Sequence, residues 1–223
     1  MSTQTADLTV AVQDYLKAIY ALESAGERVT TSALAGRMGV SAPSATAMTK
    51  RLDELGLVER APYRGVALTE AGRRGALEVL RHHRLLERYL VDRLGISLDQ
   101  VHVEADRLEH ALSEELEAKI DAELGYPTHD PHGDPIPDRD LRVVEGRDRT
   151  LCDFEVGERA SVSRVPDANP ELLRYLSELG LVPGAEVRIV SFAPFGGPLA
   201  VRTATGDHAI ARELADSISA ANI

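Results

Sequence analysis

Val101–Leu112, VHVEADRLEHAL, carries two patterns written over each other. Val101, Ala105, Leu108 and Leu112 recur at the spacing of an apolar helical stripe docked on a core. One position further round lie His102, Asp106 and Glu109, with His110 beside them, so two imidazoles and two carboxylates share a strip next to the buried face. Carboxylate oxygen with neutral imidazole is the donor set of a divalent transition-metal site. A solvated, charge-rich helix face has the same appearance, and this stretch alone does not separate the two readings. The spacing predicts one helix from about Leu98 to Leu112.

The flanking segments add donors. A long helix is predicted over about Glu70 to Arg93, with Leu77, Leu80, Leu85, Leu86, Tyr89 and Leu90 inward and His82, His83 and Glu87 on another side. His83 and Glu87 stand four apart on one face, a usable two-ligand spacing and equally a hydrogen-bonded surface pair. Gly95 ends this helix, Ser97 caps near the next start, and Ser113 caps a further helix to about Leu124. Apolar residues on these helices exceed what one small domain buries, so helix-to-helix homodimerisation is expected, and a two-fold dimer presents two reading heads to two half-sites.

Residues 1–75 carry helix-turn-helix punctuation. Val12, Tyr15, Leu16, Ile19, Tyr20 and Leu22 form a helical stripe with Asp14 off it. Thr31–Met38 forms a short helix, Gly39-Val40 a turn, and Ser41 caps a second helix with Pro43 in its first turn. Ala45, Met48, Leu52 and Leu55 are expected inward. Ser41, Pro43, Ser44, Thr46, Ala47, Lys50 and Arg51 are then left for double-stranded DNA, as small groove-fitting or phosphate-binding residues. Two short strands follow, with Tyr63 and Arg64 at the tip of a wing, and Thr69 caps the next helix. A purely structural helical hairpin with a β-hairpin is the bland alternative, which the basic wing tip disfavours.

Pro127–Arg149 is rich in Pro, Gly and Asp and reads as a linker packing in extended form, its His129 and His132 being loop residues rather than ligands. From Gly157 the pattern turns to short β stretches, ERASVSRV, EVRIVSF, LAVRTA and GDHAIA, with a helical insert over Pro170–Leu179.

The 223 residues suffice for two to three small domains, and the boundaries are expected at 1–75, 76–145 and 146–223. The net charge of −11 is uneven: residues 1–75 hold nine Lys/Arg and eight Asp/Glu, so the acid lies in the remainder and the first third keeps a surface open to DNA. Cys152 is the sole cysteine, which excludes a thiolate cluster within one chain, so any metal is held by nitrogen and oxygen. No apolar run reaches the ~20 residues of a spanning helix and the start lacks the pattern of a leader, so a cytoplasmic location is expected, without membrane or organic substrate.

With the helix-turn-helix, DYLKAIY (14–20), RHHRLLERYL (81–90), VHVEADRLEHALS (101–113) and DPHGDPIP (130–137) in this order, the chain resembles the diphtheria-toxin-repressor family of metal-dependent transcriptional repressors. The resemblance covers almost the whole length. It implies a mainly α fold with a small β part: a winged helix-turn-helix domain, a helical dimerisation domain and a C-terminal SH3-like β-barrel of the FeoA type. It implies a primary metal site of Asp14, Asp106, Glu109 and His110 and an ancillary site of His83, Glu87 and His102, hence two sites per subunit. The family's C-terminal module donates oxygens to the ancillary ion from positions matching Asn169 and Leu172; Leu172 cannot ligate, and Asp167 and Glu171 are the candidates in its place.

The family's iron sensors have methionine where Asp14 stands and cysteine where Asp106 stands. Hard oxygen donors at both favour Mn(II), which has the lowest intrinsic affinity and needs ligand type and geometry for selectivity. The short manganese regulators of the family have a second carboxylate where Lys17 stands, so their paired-metal cluster is not expected here. The expected function is a Mn(II)-activated, homodimeric repressor. An Fe(II) repressor of the same family is the alternative; a metal-dependent hydrolase fits less well, because no base stands apart from the ligands.

Overall fold

The computed structural model describes residues 8–61, 65–144, 146, 149–167 and 169–223. They fall into two compact units. One gathers the chain up to His83 with Leu108–Ser113 and Pro137–Arg142; the other gathers Arg84–Arg107, Glu114–Ile136 and Val143–Ile223.

The first unit is built from α1 (Val10–Ser24), α2 (Thr31–Met38), α3 (Ala42–Glu54), the hairpin β1 (Val58–Ala61) and β2 (Gly65–Leu68), and the beginning of α4 (Glu70–Leu94). Local chemistry sets the boundaries. Thr30 caps α2 by accepting from the Ala33 amide at 3.0 Å, and Gly39 takes the left-handed conformation that stops it. Ser41 accepts from the Ser44 amide, with Pro43 in the first turn of α3. Leu16, Ile19, Leu34, Ala45 and Leu52 close the core between these helices.

Two inward assignments change. Leu55 lies at the C-terminal cap of α3 and is 50% exposed, whereas Thr49 is buried between Ala45 and Leu52 on the same face and satisfies its hydroxyl by donating to the Thr46 carbonyl at 3.0 Å. A threonine that returns its hydroxyl to its own helix buries at little cost. Met48 is half-buried against the same core. Ser41, Pro43, Ser44, Thr46, Ala47, Lys50 and Arg51 are all exposed, while Tyr63 and Arg64 lie outside the described residues.

The helix expected over Leu98–Leu112 is shorter. The α-helix α5 spans Leu98–Leu108, and Glu109–Ala111 forms a tighter 3-10 turn. Three residues per turn instead of 3.6 rotate the following side chains out of the apolar register. Leu108 ends 44% exposed, and Glu109 takes the inward position at 1%.

The second unit contains the rest of α4, most of α5, α6 (Glu114–Glu123) and a six-stranded antiparallel sheet. The sheet is formed by β3 (Arg149–Thr150), β4 (Arg159–Arg164), β5 (Glu186–Phe192), β6 (Leu199–Thr203), β7 (Gly206–Ile210) and β8 (Ser219–Asn222), in the order β3-β8-β4-β5-β6-β7. Helices α7 (Pro170–Glu178) and α8 (Arg212–Ser217) accompany it, and Leu173, Leu176, Val187, Ile189, Leu199 and Ile218 are among its buried core. β4 to β7 fall on the four expected stretches; β3, α8 and β8 had no alternation strong enough to announce them.

The segment read as an extended linker is folded over 128–136. Asp130 Oδ1 accepts from the amides of His132 and Asp134 at 2.9 Å each, closing a tight turn with Pro131, His132 and Gly133 buried. This turn seats on the end of β4: the Val165 amide donates to the His132 carbonyl at 2.9 Å, and a Cβ on Gly133, at φ +95°, would stand 1.9 Å from the Ser163 carbonyl oxygen. Gly133→Ala is therefore expected to destabilise this unit by about 2–4 kcal/mol through combined clash and backbone strain, read as a lower urea midpoint; an unchanged midpoint would show that the turn does not seat there.

Candidate metal centre

Asp14 lies on α1, Glu109 and His110 on the 3-10 turn, and their donor atoms lie within 4.8 Å of one another. His110 Nε2 is 3.0 Å from Asp14 Oδ1 and 3.5 Å from Glu109 Oε1. The Glu109 carboxylate is buried, and burial of a charge requires partners. Lys17 Nζ, one turn beyond Asp14, donates to its two oxygens at 2.7 and 2.9 Å, and His83 Nδ1 lies 2.5 Å from Oε2. His82 Nδ1 donates to the Glu109 backbone carbonyl at 3.1 Å. The turn that breaks the α5 register is thus held through both the backbone and the side chain of Glu109.

Oxygen and imidazole nitrogen at these separations suit a hard or borderline divalent ion, whose bonds to such donors run to about 2.0–2.2 Å. The sole cysteine, Cys152, lies in the 3-10 turn Leu151–Asp153 against the core of the other unit, where burial and the hydrogen bond and charge of Asp216 push its thiol up to about 11.

A second cluster lies wholly in the other unit. Glu87 on α4, with Asp130 and His132 of the folded turn, brings three buried donors within 4.8 Å of one another. Glu87 Oε1 meets His102 Nδ1 at 3.1 Å, and Glu87 Oε2 stands 3.7 Å from His132 Nδ1. His132 Nδ1 makes no hydrogen bond among the described residues, while its Nε2 donates to the Leu98 carbonyl at 3.1 Å. A ring anchored through one nitrogen and offering the other toward a buried carboxylate fits an ion between them.

The electrostatics show what holds the cluster together otherwise. Burial would lower the His132 pKa, but the Glu87 carboxylate facing its ring outweighs burial and raises it to about 9. Burial first, then the charges of Glu87 and Asp134, lift Asp130 to about 7 against Arg84 and His132. Arg84 stands 3.6 Å from Asp130 and 3.5 Å from Asp134.

The sequence-derived donors therefore distribute as follows. The structure brings together Asp14, Glu109 and His110, with His83 on Glu109. Glu87 and His102 meet in the second unit, and Asp106, exposed on α5, stands 3.6 Å from His102 Nε2. Asp167 is half-buried, and its charge adds to burial in raising the Asp134 carboxyl. Glu171 is exposed on the first turn of α7, and Asn169 spends its side-chain oxygen capping that helix. The burial of Asp130 and His132 is not legible in the sequence, because turn composition signals solvent and nothing in a Pro/Gly/Asp-rich stretch announces burial.

Comparison with known proteins places the whole chain. Residues 7–66 match the iron dependent repressor N-terminal DNA binding domain, residues 69–138 the iron dependent repressor metal binding and dimerisation domain, and residues 149–221 the FeoA domain. The iron-dependent repressor IdeR of Mycobacterium leprae is 30% identical over 95% of this chain and 97% of its own length. The diphtheria toxin repressor of Corynebacterium diphtheriae is 31% identical over 82% of this chain and 86% of its own. A solved structure of a manganese-dependent transcriptional repressor in complex with manganese is 39% identical, with a TM-score of 0.84 over 95% of this chain and 100% of that one. The chain belongs to the iron-dependent repressor family of metal-dependent transcriptional repressors, in which a DNA-binding winged helix, a helical dimerisation domain and a FeoA domain follow one another.

Proposed function

We propose that this repressor is activated by Mn(II). The observation that carries the reading is the donor set: Asp14 supplies a carboxylate where the family's iron sensors have a thioether, beside Glu109 and His110. Asp106, three positions before Glu109, is the fourth donor that the family resemblance implies. The manganese-bound relative, similar over nearly its whole length, supports the same ion. An ion at Asp14, Glu109 and His110 would join α1 to the 3-10 turn. Metal then favours one arrangement of the DNA-reading helices and DNA selects the same one, which is the coupling a co-repressor needs.

A second ion is proposed at Glu87, Asp130 and His132, with His102 on the outer oxygen of Glu87. DNA is read by the exposed face of α3, through Ser41, Pro43, Ser44, Thr46, Ala47, Lys50 and Arg51, and the homodimer covers apolar residues left exposed, Val103 on α5 and Leu116 on α6 among them. The matched families are regulators rather than enzymes, which leaves the hydrolase reading without support.

Asp14→Ala should abolish Mn(II)-dependent DNA binding while leaving the metal-free unfolding midpoint unchanged, and retained metal dependence would remove Asp14 from the site. Asp14→Met combined with Asp106→Cys should shift half-activation of DNA binding toward Fe(II), under anaerobic conditions, by at least about tenfold relative to Mn(II); an unaltered Mn(II)/Fe(II) ratio would show that these carboxylates do not set selectivity. Arg51→Ala should weaken binding of all sequences alike and reduce the salt slope by about one.

Proton linkage tests the second site. Because His132 and Asp130 are raised to about 9 and about 7, the metal-free fold holds protons at neutral pH that an ion must displace. Mn(II) affinity there should rise with pH between about 6 and 9, with proton release in weak buffer that His132→Gln diminishes. Stability without metal should change in the opposite sense. Both groups bind protons more tightly folded than unfolded, so their contribution is lost as pH rises through about 7 and then about 9.

A further inference from the structure

We infer that Gln13 is a positioning residue that fixes the tautomer of His110 and thereby presents its Nε2 lone pair to the metal. The inference rests on the reading of Asp14, Glu109 and His110 as ligands. Gln13 is the residue before Asp14 on α1, and at 6% exposure it is a polar side chain buried among Val12, Leu16 and Tyr15. Its carboxamide reaches both Leu8 and His110. Nε2 is 3.3 Å from the Leu8 carbonyl oxygen, and Oε1 is 2.6 Å from His110 Nδ1.

The assignment of protons follows from what each atom is able to do. A backbone carbonyl only accepts, so the amide nitrogen of Gln13 belongs on the Leu8 side. That leaves Oε1, also only an acceptor, facing His110, and a bond of 2.6 Å requires the proton on Nδ1. Turning the amide over would set oxygen against oxygen at Leu8. In neutral imidazole the proton on Nδ1 leaves Nε2 bare, and Nε2 is the atom 3.0 Å from Asp14 Oδ1 and 3.5 Å from Glu109 Oε1. A lone pair between carboxylate oxygens is satisfied by a cation. Gln13 thus prepares the ring before the ion arrives, as outer partners of metal-bound histidines do.

The same amide reaches the entrance of α1. Leu8 precedes the helix cap Thr9, whose carbonyl receives the amides of Val12 and Gln13 at 2.9 and 3.1 Å. The ligand ring and the chain entering the helix are therefore held by one side chain.

The test uses the full-length protein with ¹⁵N-labelled histidine at pH 8. The His110 ring signals are assigned by their loss in His110→Asn, and Zn(II) serves as a diamagnetic probe. The wild type should show His110 protonated at Nδ1, with Nε2 moving when Zn(II) binds. Gln13→Leu should yield mixed tautomers and a Zn(II) and Mn(II) affinity about 10–100-fold weaker at this site, whereas Gln13→Glu, which keeps an acceptor, should restore the Nδ1–H form and most of the affinity. Should Gln13→Leu fail to fold, Gln13→Glu decides alone, because a ring protonated at Nε2 in that variant overturns the inference. Wild-type Nε2 protonation, or unchanged tautomer and affinity in Gln13→Leu, overturns it while leaving the metal site standing. A His110 ring that ignores Zn(II) altogether overturns both.

Discussion

A carboxylate removed from water has to be answered by other charges or protons, and Glu109 is such a group. Its answer in this structure is Lys17 and His83, drawn from α1 and α4. The shortened helix α5 and the exposure of Leu108 accompany this arrangement. With Asp14 across from His110, the same carboxylate is half of the proposed cation site. The Lys17 ammonium lies on both Glu109 oxygens, so the carboxylate has a charge partner from α1 within this unit.

The Glu87, Asp130 and His132 cluster solves the same problem differently. There the Glu87 carboxylate faces His132, whose proton is held well above its usual range, and makes a hydrogen bond with His102. A cation at this proposed site would replace protons and tie it to pH, whereas the Glu109 carboxylate is met by the Lys17 ammonium. Both carry oxygen and nitrogen donors only, which is the chemical basis for favouring a hard ion.

Much of this was legible in the chain. Thr30, Gly39, Ser41 and Pro43 mark helix ends through local hydrogen bonds and backbone conformation, and local chemistry is what a sequence displays. Glu109 and His110 were legible as donors from their spacing along Val101–Leu112, but Asp14 was joined to them only through the family resemblance, because α1 and the turn are almost a hundred residues apart. What stayed hidden depends on tertiary context. Glu109 and Thr49 are buried polar residues whose partners lie elsewhere in the fold or in their own helix. His132 is buried by the seating of a turn on β4, and β8 is too short to alternate visibly. Gln13 gave no signal, since a lone glutamine on an apolar face acquires meaning only when the ring beyond it is known.

On the proposed reading, carboxylate donors make this family member a manganese sensor. The most direct measurement is the affinity of the full-length protein for operator DNA at fixed salt, titrated in parallel with buffered free Mn(II), anaerobic Fe(II) and Zn(II), against a chelator control. The account predicts tight DNA binding at a free Mn(II) concentration at least about tenfold below the Fe(II) needed for the same effect. Equal or preferred activation by Fe(II) would contradict the assignment of manganese, and DNA binding indifferent to every ion would contradict the role of the Asp14, Glu109 and His110 site.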